Sequence, residues 1–167
     1  MLARARAAIL PGDGAFGATM HALEERGLDR AIREFIAAGK PFLGICVGMQ
    51  LLYERSLEHG DYAGFGVFAG AIERFRHAPR VPHMGWNSLE LLREHPFVHG
   101  LRANSYAYFL HSYRAGVDAS TLAATEHGEL FAAIVARDNV MGTQFHPEKS
   151  QAAGAILLDN FLGIAAA

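Results

Sequence analysis

The sequence predicts a single α/β domain over residues 1–167, built on an open, mainly parallel sheet that is flanked by helices and carries an antiparallel extension. In the first half of the chain, short apolar runs alternate with segments of helical apolar spacing, which favours parallel strands joined by helices. In the second half, several strand-like runs follow one another directly, which favours antiparallel pairing. The 167 residues, 51% of them apolar, suffice for one core, and we find no internal repeat or linker.

The first half should contain five elements separated by glycine or proline. The run at residues 7–10 stops at a glycine-rich turn that begins with Pro11, and the apolar residues that follow repeat at helical spacing until Gly39. Residues 49–58 contain no helix breaker. The predicted elements are a strand at 7–10, helices at 18–26 and 28–38, a strand at 42–45 and a helix at 49–58.

The second half should be mostly strands. Apolar and aromatic runs bounded by turn residues indicate strands at 71–75, 106–113, 122–124, 131–135 and 140–145, before a final helix at 151–164. Residues 81–87 combine Pro, Gly and the only tryptophan. We therefore expect an irregular segment there, either with Met84 and Trp86 available for contact with another molecule or with Trp86 buried.

Cys46 is the only cysteine and lies in Gly44-Ile45-Cys46-Val47-Gly48, between a predicted strand and a predicted helix. This is the form of a nucleophile elbow, in which glycines allow a strained turn and close approach of neighbouring elements. A helix beginning after Cys46 would direct its free N–H groups at the sulfur and favour the thiolate. The alternative is a buried structural thiol.

A thiolate nucleophile needs a base, and the base needs a group that orients it. His146 follows an apolar strand, Pro147 disfavours helical geometry at His146, and Glu148 lies two residues on. In an extended segment these two side chains point the same way, so Glu148 could hold the imidazole. His111 is the competing base, although a backbone-bonded core histidine is the simpler interpretation, and His83 is interpreted as a loop residue.

Composition argues against several functions. The net charge is −2 and no lysine and arginine run is present, so nucleic acid is not expected as a partner. The chain has no apolar stretch of the ~20 residues that span a bilayer. A single cysteine excludes a disulfide framework and fits a reducing cytoplasm. Histidine spacing is poor for a metal site, because Pro96 separates His95 from His99.

Five segments together resemble a known family, the class I (triad) glutamine amidotransferases, whose fold is flavodoxin-like. Within that family they look most similar to the glutaminase subunits of imidazole glycerol phosphate synthase, from histidine biosynthesis. The match extends from about residue 7 to the end of the chain. Its segments are residues 11–17, 40–50, 81–87, 108–113 and 144–150.

The resemblance implies hydrolysis of glutamine to glutamate and ammonia through a thioester, without a cofactor. Cys46, His146 and Glu148 correspond to the triad. Backbone N–H groups of Val47 and of the loop at Asp13 and Gly14 would form the oxyanion hole. The substrate-binding positions would be Gln50, Glu58, His111, Ser112 and Tyr113; a solvated helix-end carboxylate is the alternative for Glu58.

The family also implies a partner, a (β/α)8-barrel cyclase subunit of imidazole glycerol phosphate synthase that receives the ammonia. We expect its interface at Pro82, His83, Met84, Gly85, Trp86 and Asn87. Alternatives are another class I amidotransferase and a catalytically silent binding subunit.

Two features depart from the family pattern. The family usually begins with an additional strand, loop and helix. The sequence therefore predicts an N-terminally truncated fold, unless its start is misassigned or another chain supplies these elements. Asp13 stands where an apolar residue is usual, and its carboxylate would be unhelpful beside an oxyanion.

Overall fold

The computed structural model describes residues 2–167, which form sixteen helices and strands. The elements in chain order are β1 (Ala8–Leu10), α1 (Phe16–Glu25), α2 (Leu28–Ala37), β2 (Phe42–Ile45), α3 (Val47–Gln50), β3 (Tyr53–Ser56), β4 (Tyr62–Ala63), β5 (Phe68–Arg74), β6 (His83–Ser88), β7 (Glu90–Leu91), β8 (Tyr106–His111), β9 (Tyr113–Arg114), β10 (Thr121–Glu126), β11 (Leu130–Arg137), β12 (Val140–Thr143) and α4 (Gln151–Ala166). Single 3-10 turns occupy Leu2–Arg4, Pro96–Val98 and Pro147–Lys149.

The main sheet has six strands in the order β1-β2-β12-β11-β10-β7. β1, β2 and β12 run parallel, whereas every pairing from β12 to β7 is antiparallel. The predicted α/β class is confirmed. The antiparallel part is larger than expected, because β10, β11 and β12 follow one another through short turns and pair as neighbours.

The parallel part of the sheet determines where chemistry can occur. β1 ends at the turn that contains Asp13, β2 ends at Cys46, and β12 ends just before Gln144 and His146. Because these three strands are parallel neighbours, their carboxyl ends lie side by side at one edge. Residues far apart in the chain therefore converge at this edge.

The predicted helix at residues 49–58 is wrong. α3 ends at Gln50, and β3 begins three residues later, at Tyr53, as part of a second sheet in the order β4-β3-β5-β9. Leu51, Leu52 and Tyr53 are consecutive and all at most 1% exposed. An amphipathic helix would turn one of them toward solvent, whereas here backbone N–H groups of residues 65–68 bond to their carbonyls.

The predicted irregular segment at residues 81–87 is also wrong. It is mostly β6, which pairs with β8 so that Met84 lies opposite Leu110 and Trp86 opposite Tyr108. Burial alternates along β6: His83 is 4% exposed, Met84 58% and Trp86 47%. Of the two possibilities for Trp86, the structure has the exposed one: Met84 and Trp86 lie on one face of a two-stranded ribbon.

Among residues 2–167, no helix combines the length and the apolar character that crossing a membrane requires.

Candidate active site

Cys46 has the backbone of a nucleophile elbow, with φ 54° and ψ −111° between β2 and α3. A non-glycine residue in this region is strained, and the close packing of the two flanking glycines holds it there. A Cβ on Gly44 would lie 2.5 Å from the carbonyl oxygen of Gly48, and a Cβ on Gly48 would lie 1.9 Å from that of Leu10. Both positions of the Gly-x-Cys-x-Gly motif therefore require glycine.

The Cys46 side chain is 4% exposed. Burial raises the pKa of its thiol to about 11, and the Glu148 and Asp13 carboxylates act in the same direction. Hydrogen bonds from the Val47 backbone N–H and the Gln144 amide lower the pKa but do not outweigh burial. The expected support of the thiolate by the following helix is limited to the Val47 N–H, because α3 is only one turn long, and desolvation of the sulfur outweighs it.

We predict that the alkylation rate of free Cys46 by iodoacetamide rises about tenfold per pH unit and levels off only near the thiol pKa of about 11. At about pH 8, roughly a thousandth of the sulfur would be thiolate. Stopped-flow or mass-spectrometric rates across pH test this. A plateau within the ordinary range of a free thiol would contradict the effect of burial.

His146 and Glu148 form the expected pair. The Nδ1 of His146 lies 2.8 Å from the Glu148 Oε1. Since a carboxylate only accepts, Nδ1 carries the proton and Nε2 of the neutral ring keeps its lone pair. The backbone differs from the extended segment we expected, because Glu148 lies in the 3-10 turn Pro147–Lys149. The backbone N–H of His146 donates to the Tyr108 carbonyl at 3.1 Å and fixes this turn to β8.

Cys46 and His146 line one cavity of about 530 Å³ at the edge of the sheet. The cavity contains every sequence-predicted triad, oxyanion and substrate residue: Asp13, Gly14, Cys46, Val47, Gln50, Glu58, His111, Ser112, Tyr113, His146 and Glu148. The predicted interface residues 82–87 are not part of its lining. Leu110 and Lys149 also line it, and sequence reasoning missed them as site residues; Leu110 precedes His111 and Lys149 follows Glu148, inside two of the family segments.

Glu58 is not the solvated helix-end carboxylate considered as its alternative. Its Oε2 accepts the Phe16 backbone N–H at 2.7 Å and so caps the first turn of α1. This bond fixes a half-buried carboxylate at the cavity wall.

His83 and His111 form a buried pair across the β6–β8 ribbon, so the interpretation of His83 as a loop residue is wrong. The Nδ1 of His83 lies 3.1 Å from the Nε2 of His111, whose Nδ1 lies 2.8 Å from the Tyr113 carbonyl oxygen. Burial, chiefly, lowers the pKa of His111 to about 3 and that of His83 to about 4. With both ring nitrogens engaged, His111 is not placed as the base for Cys46. Within residues 2–167 no group of three or more His, Cys, Asp or Glu side chains could hold a metal ion.

The fold and this cavity define an α/β protein that holds a strained cysteine and a histidine–carboxylate pair at one edge of its sheet. The sequence model of the Glutamine amidotransferase class-I family matches residues 7–164, and the chain belongs to that family. Solved structures share the fold. A glutamine amidotransferase superposes with a TM-score of 0.73 at 21% identity, covering 97% of this chain and 80% of the other. The structure of PurLQS from Thermotoga maritima superposes with a TM-score of 0.69 at 18% identity, covering 95% of this chain and 79% of the other.

Curated relatives identify the branch of the family. The imidazole glycerol phosphate synthase subunit HisH of Salinibacter ruber is 47% identical, over 98% of this chain and 79% of the relative. The subunit of the same name from Cereibacter sphaeroides is 48% identical, over 96% and 79%. These similarities confirm the resemblance to glutaminase subunits of imidazole glycerol phosphate synthase.

Proposed function

We propose that this chain hydrolyses the side-chain amide of glutamine, with Cys46, His146 and Glu148 as its triad, and supplies ammonia to a cyclase subunit. The observation that carries the proposal is the shared cavity, in which a strained cysteine and a carboxylate-held histidine lie at adjacent strand ends. The curated relatives, named as subunits of imidazole glycerol phosphate synthase, support the pathway.

The high pKa of Cys46 makes the base essential. His146 Nε2 takes the thiol proton as sulfur attacks the amide carbon, because free thiolate is scarce near neutral pH. The Val47 N–H and the loop at Asp13 and Gly14 stabilise the oxyanion. When the carbon–nitrogen bond breaks, His146 returns the proton to the leaving ammonia. Water, deprotonated by His146, then cleaves the thioester, and glutamate leaves as the sulfur regains its proton.

Glutamine is recognised by residues of the cavity wall, among them the carboxylate of Glu58. Glu58 is fixed by its bond to Phe16 and presents negative charge to the substrate α-ammonium. His111, Ser112 and Tyr113 line the same cavity.

We place the partner on the exposed apolar face of the β6–β8 ribbon, defined by Met84, Trp86, Tyr106 and Leu110, which are 42 to 60% exposed. Leu110 exposes its side chain on this face, and its carbonyl oxygen lies 4.0 Å from the Cys46 sulfur. A partner on this face would therefore be separated from the nucleophile by one strand. His83 cannot contribute to such an interface, because it is buried against His111 and Phe109 on the other side of the ribbon.

The experiment measures ammonia release from glutamine when the chain is combined with a (β/α)8-barrel cyclase subunit. We expect the partner to increase glutaminase activity and to change the fluorescence of Trp86, the only tryptophan. Met84→Glu should weaken binding about tenfold or more, because it places a charge in an apolar interface. Leu162→Glu, a similarly exposed leucine on α4, is the matched control. Activation by an anthranilate synthase partner and not by the cyclase would contradict the assignment.

A further inference from the structure

Gln144 is a buried amide beside the proposed nucleophile. It is 0% exposed, and its Nε2 lies 3.9 Å from the Cys46 sulfur. Its backbone N–H donates to the Ala133 carbonyl at 2.9 Å, which anchors it to β11. Sequence patterns contain no separate signal for this residue, which precedes His146 by two positions.

The hydrogen bonds around Gln144 decide which end of its amide faces the sulfur. The Tyr113 carbonyl can only accept, so the Gln50 atom 3.0 Å from it must be nitrogen. That same nitrogen lies 3.0 Å from the other end of the Gln144 amide, which must therefore be its oxygen. The nitrogen of Gln144 consequently points at Cys46. Reversing either amide would place two acceptors, or two donors, against each other in a buried site.

The Tyr113 carbonyl is itself held by the buried histidine pair. Because His111 Nδ1 donates to this carbonyl and the ring is neutral, its Nε2 must accept from His83 Nδ1. The remaining His83 nitrogen, Nε2, accepts from Asn87, whose amide also donates to the Glu126 carbonyl. Every proton in the series of hydrogen bonds from Glu126 to Cys46 thus has one consistent position.

We propose that Gln144 is a further catalytic residue, the side-chain N–H donor that stabilises the Cys46 thiolate, and that Gln50 and the His83–His111 pair are positioning residues that orient its amide. The catalytic role rests on the proposed function, whereas the contact with sulfur does not. A donor is needed here because the neighbouring carboxylates of Glu148 and Asp13 oppose a negative sulfur. A neutral amide supplies it without adding a buried charge.

The test measures the thiol directly, by the iodoacetamide alkylation rate of Cys46 at about pH 9, where rate is proportional to the thiolate fraction. Gln144→Met keeps the size of the side chain and removes its N–H. We expect alkylation to slow about tenfold, which corresponds to one pKa unit. Gln50→Met should slow it as well, by a smaller factor, because Gln144 remains but is free to rotate.

The matched control is Thr121→Val, which removes the hydrogen bond between a buried threonine at the start of β10 and the Asp118 backbone N–H, and which shares no hydrogen bond with the network. It should alkylate at the wild-type rate. Equal rates in Gln144→Met and wild type, with circular dichroism showing both folded, would overturn the proposal. A different result would refute the proposed function itself, namely glutaminase activity that persists without Cys46.

Discussion

Cys46→Ala should abolish glutamine hydrolysis, lowering kcat by at least about 10³-fold. Covalent catalysis requires the sulfur itself, and no other cysteine exists to replace it. The substitution removes one atom from a buried site and keeps the backbone at φ 54°, so the fold should survive. Ammonia release in the presence of the cyclase partner gives the activity, and circular dichroism gives the fold.

His146→Gln provides the comparison for Cys46→Ala. It removes the base yet leaves the sulfur, which the high pKa of Cys46 then keeps protonated near neutral pH. We expect this variant to be nearly as inactive as Cys46→Ala, and to regain part of its rate as pH rises. Equal activity in wild type and Cys46→Ala would rule out the triad.

Gly48→Ala should destabilise the whole domain, by at least about 3 kcal/mol. The added Cβ would lie 1.9 Å from the Leu10 carbonyl oxygen, which belongs to the backbone of β1 and cannot rotate away. The elbow and β1 would have to separate, and Cys46 would lose its position. Chemical denaturation followed by circular dichroism measures the free energy of unfolding.

Gly163→Ala is the matched control for Gly48→Ala. Gly163 lies in α4, where an added Cβ meets nothing within 4 Å. Alanine is the better helix former, so this variant should be as stable as wild type or about 0.5–1 kcal/mol more stable. Similar free energies of unfolding for the two variants would show that the close approach of Gly48 to Leu10 does not require glycine at position 48.

Local patterns in the sequence were sufficient for the elbow and for the His146–Glu148 pair. Gly44 and Gly48 flank Cys46 closely enough to indicate a strained turn, and a single residue, Pro147, separates His146 from Glu148. Apolar runs and helical spacing, bounded by glycine, proline and other turn residues, were sufficient to predict the strands β10, β11 and β12 and the helices α1, α2 and α4.

The failures involve contacts between distant parts of the chain. β3 is a strand because it pairs with β5, which lies further along the chain. The sequence of residues 49–58 contains no indication of that pairing. His83 is buried because β8 places His111 opposite it. Burial of the Cys46 thiol, which reversed the expected direction of its pKa shift, is likewise a property of the assembled sheet.

The most direct test of the triad is covalent labelling of the folded chain with a glutamine-analogue electrophile, followed by peptide mass spectrometry. We predict one modification, on Cys46, that glutamine suppresses by competition and that His146→Gln slows strongly. An unmodified Cys46, or labelling elsewhere that glutamine does not suppress, would contradict the claim that this cavity is a glutaminase active site.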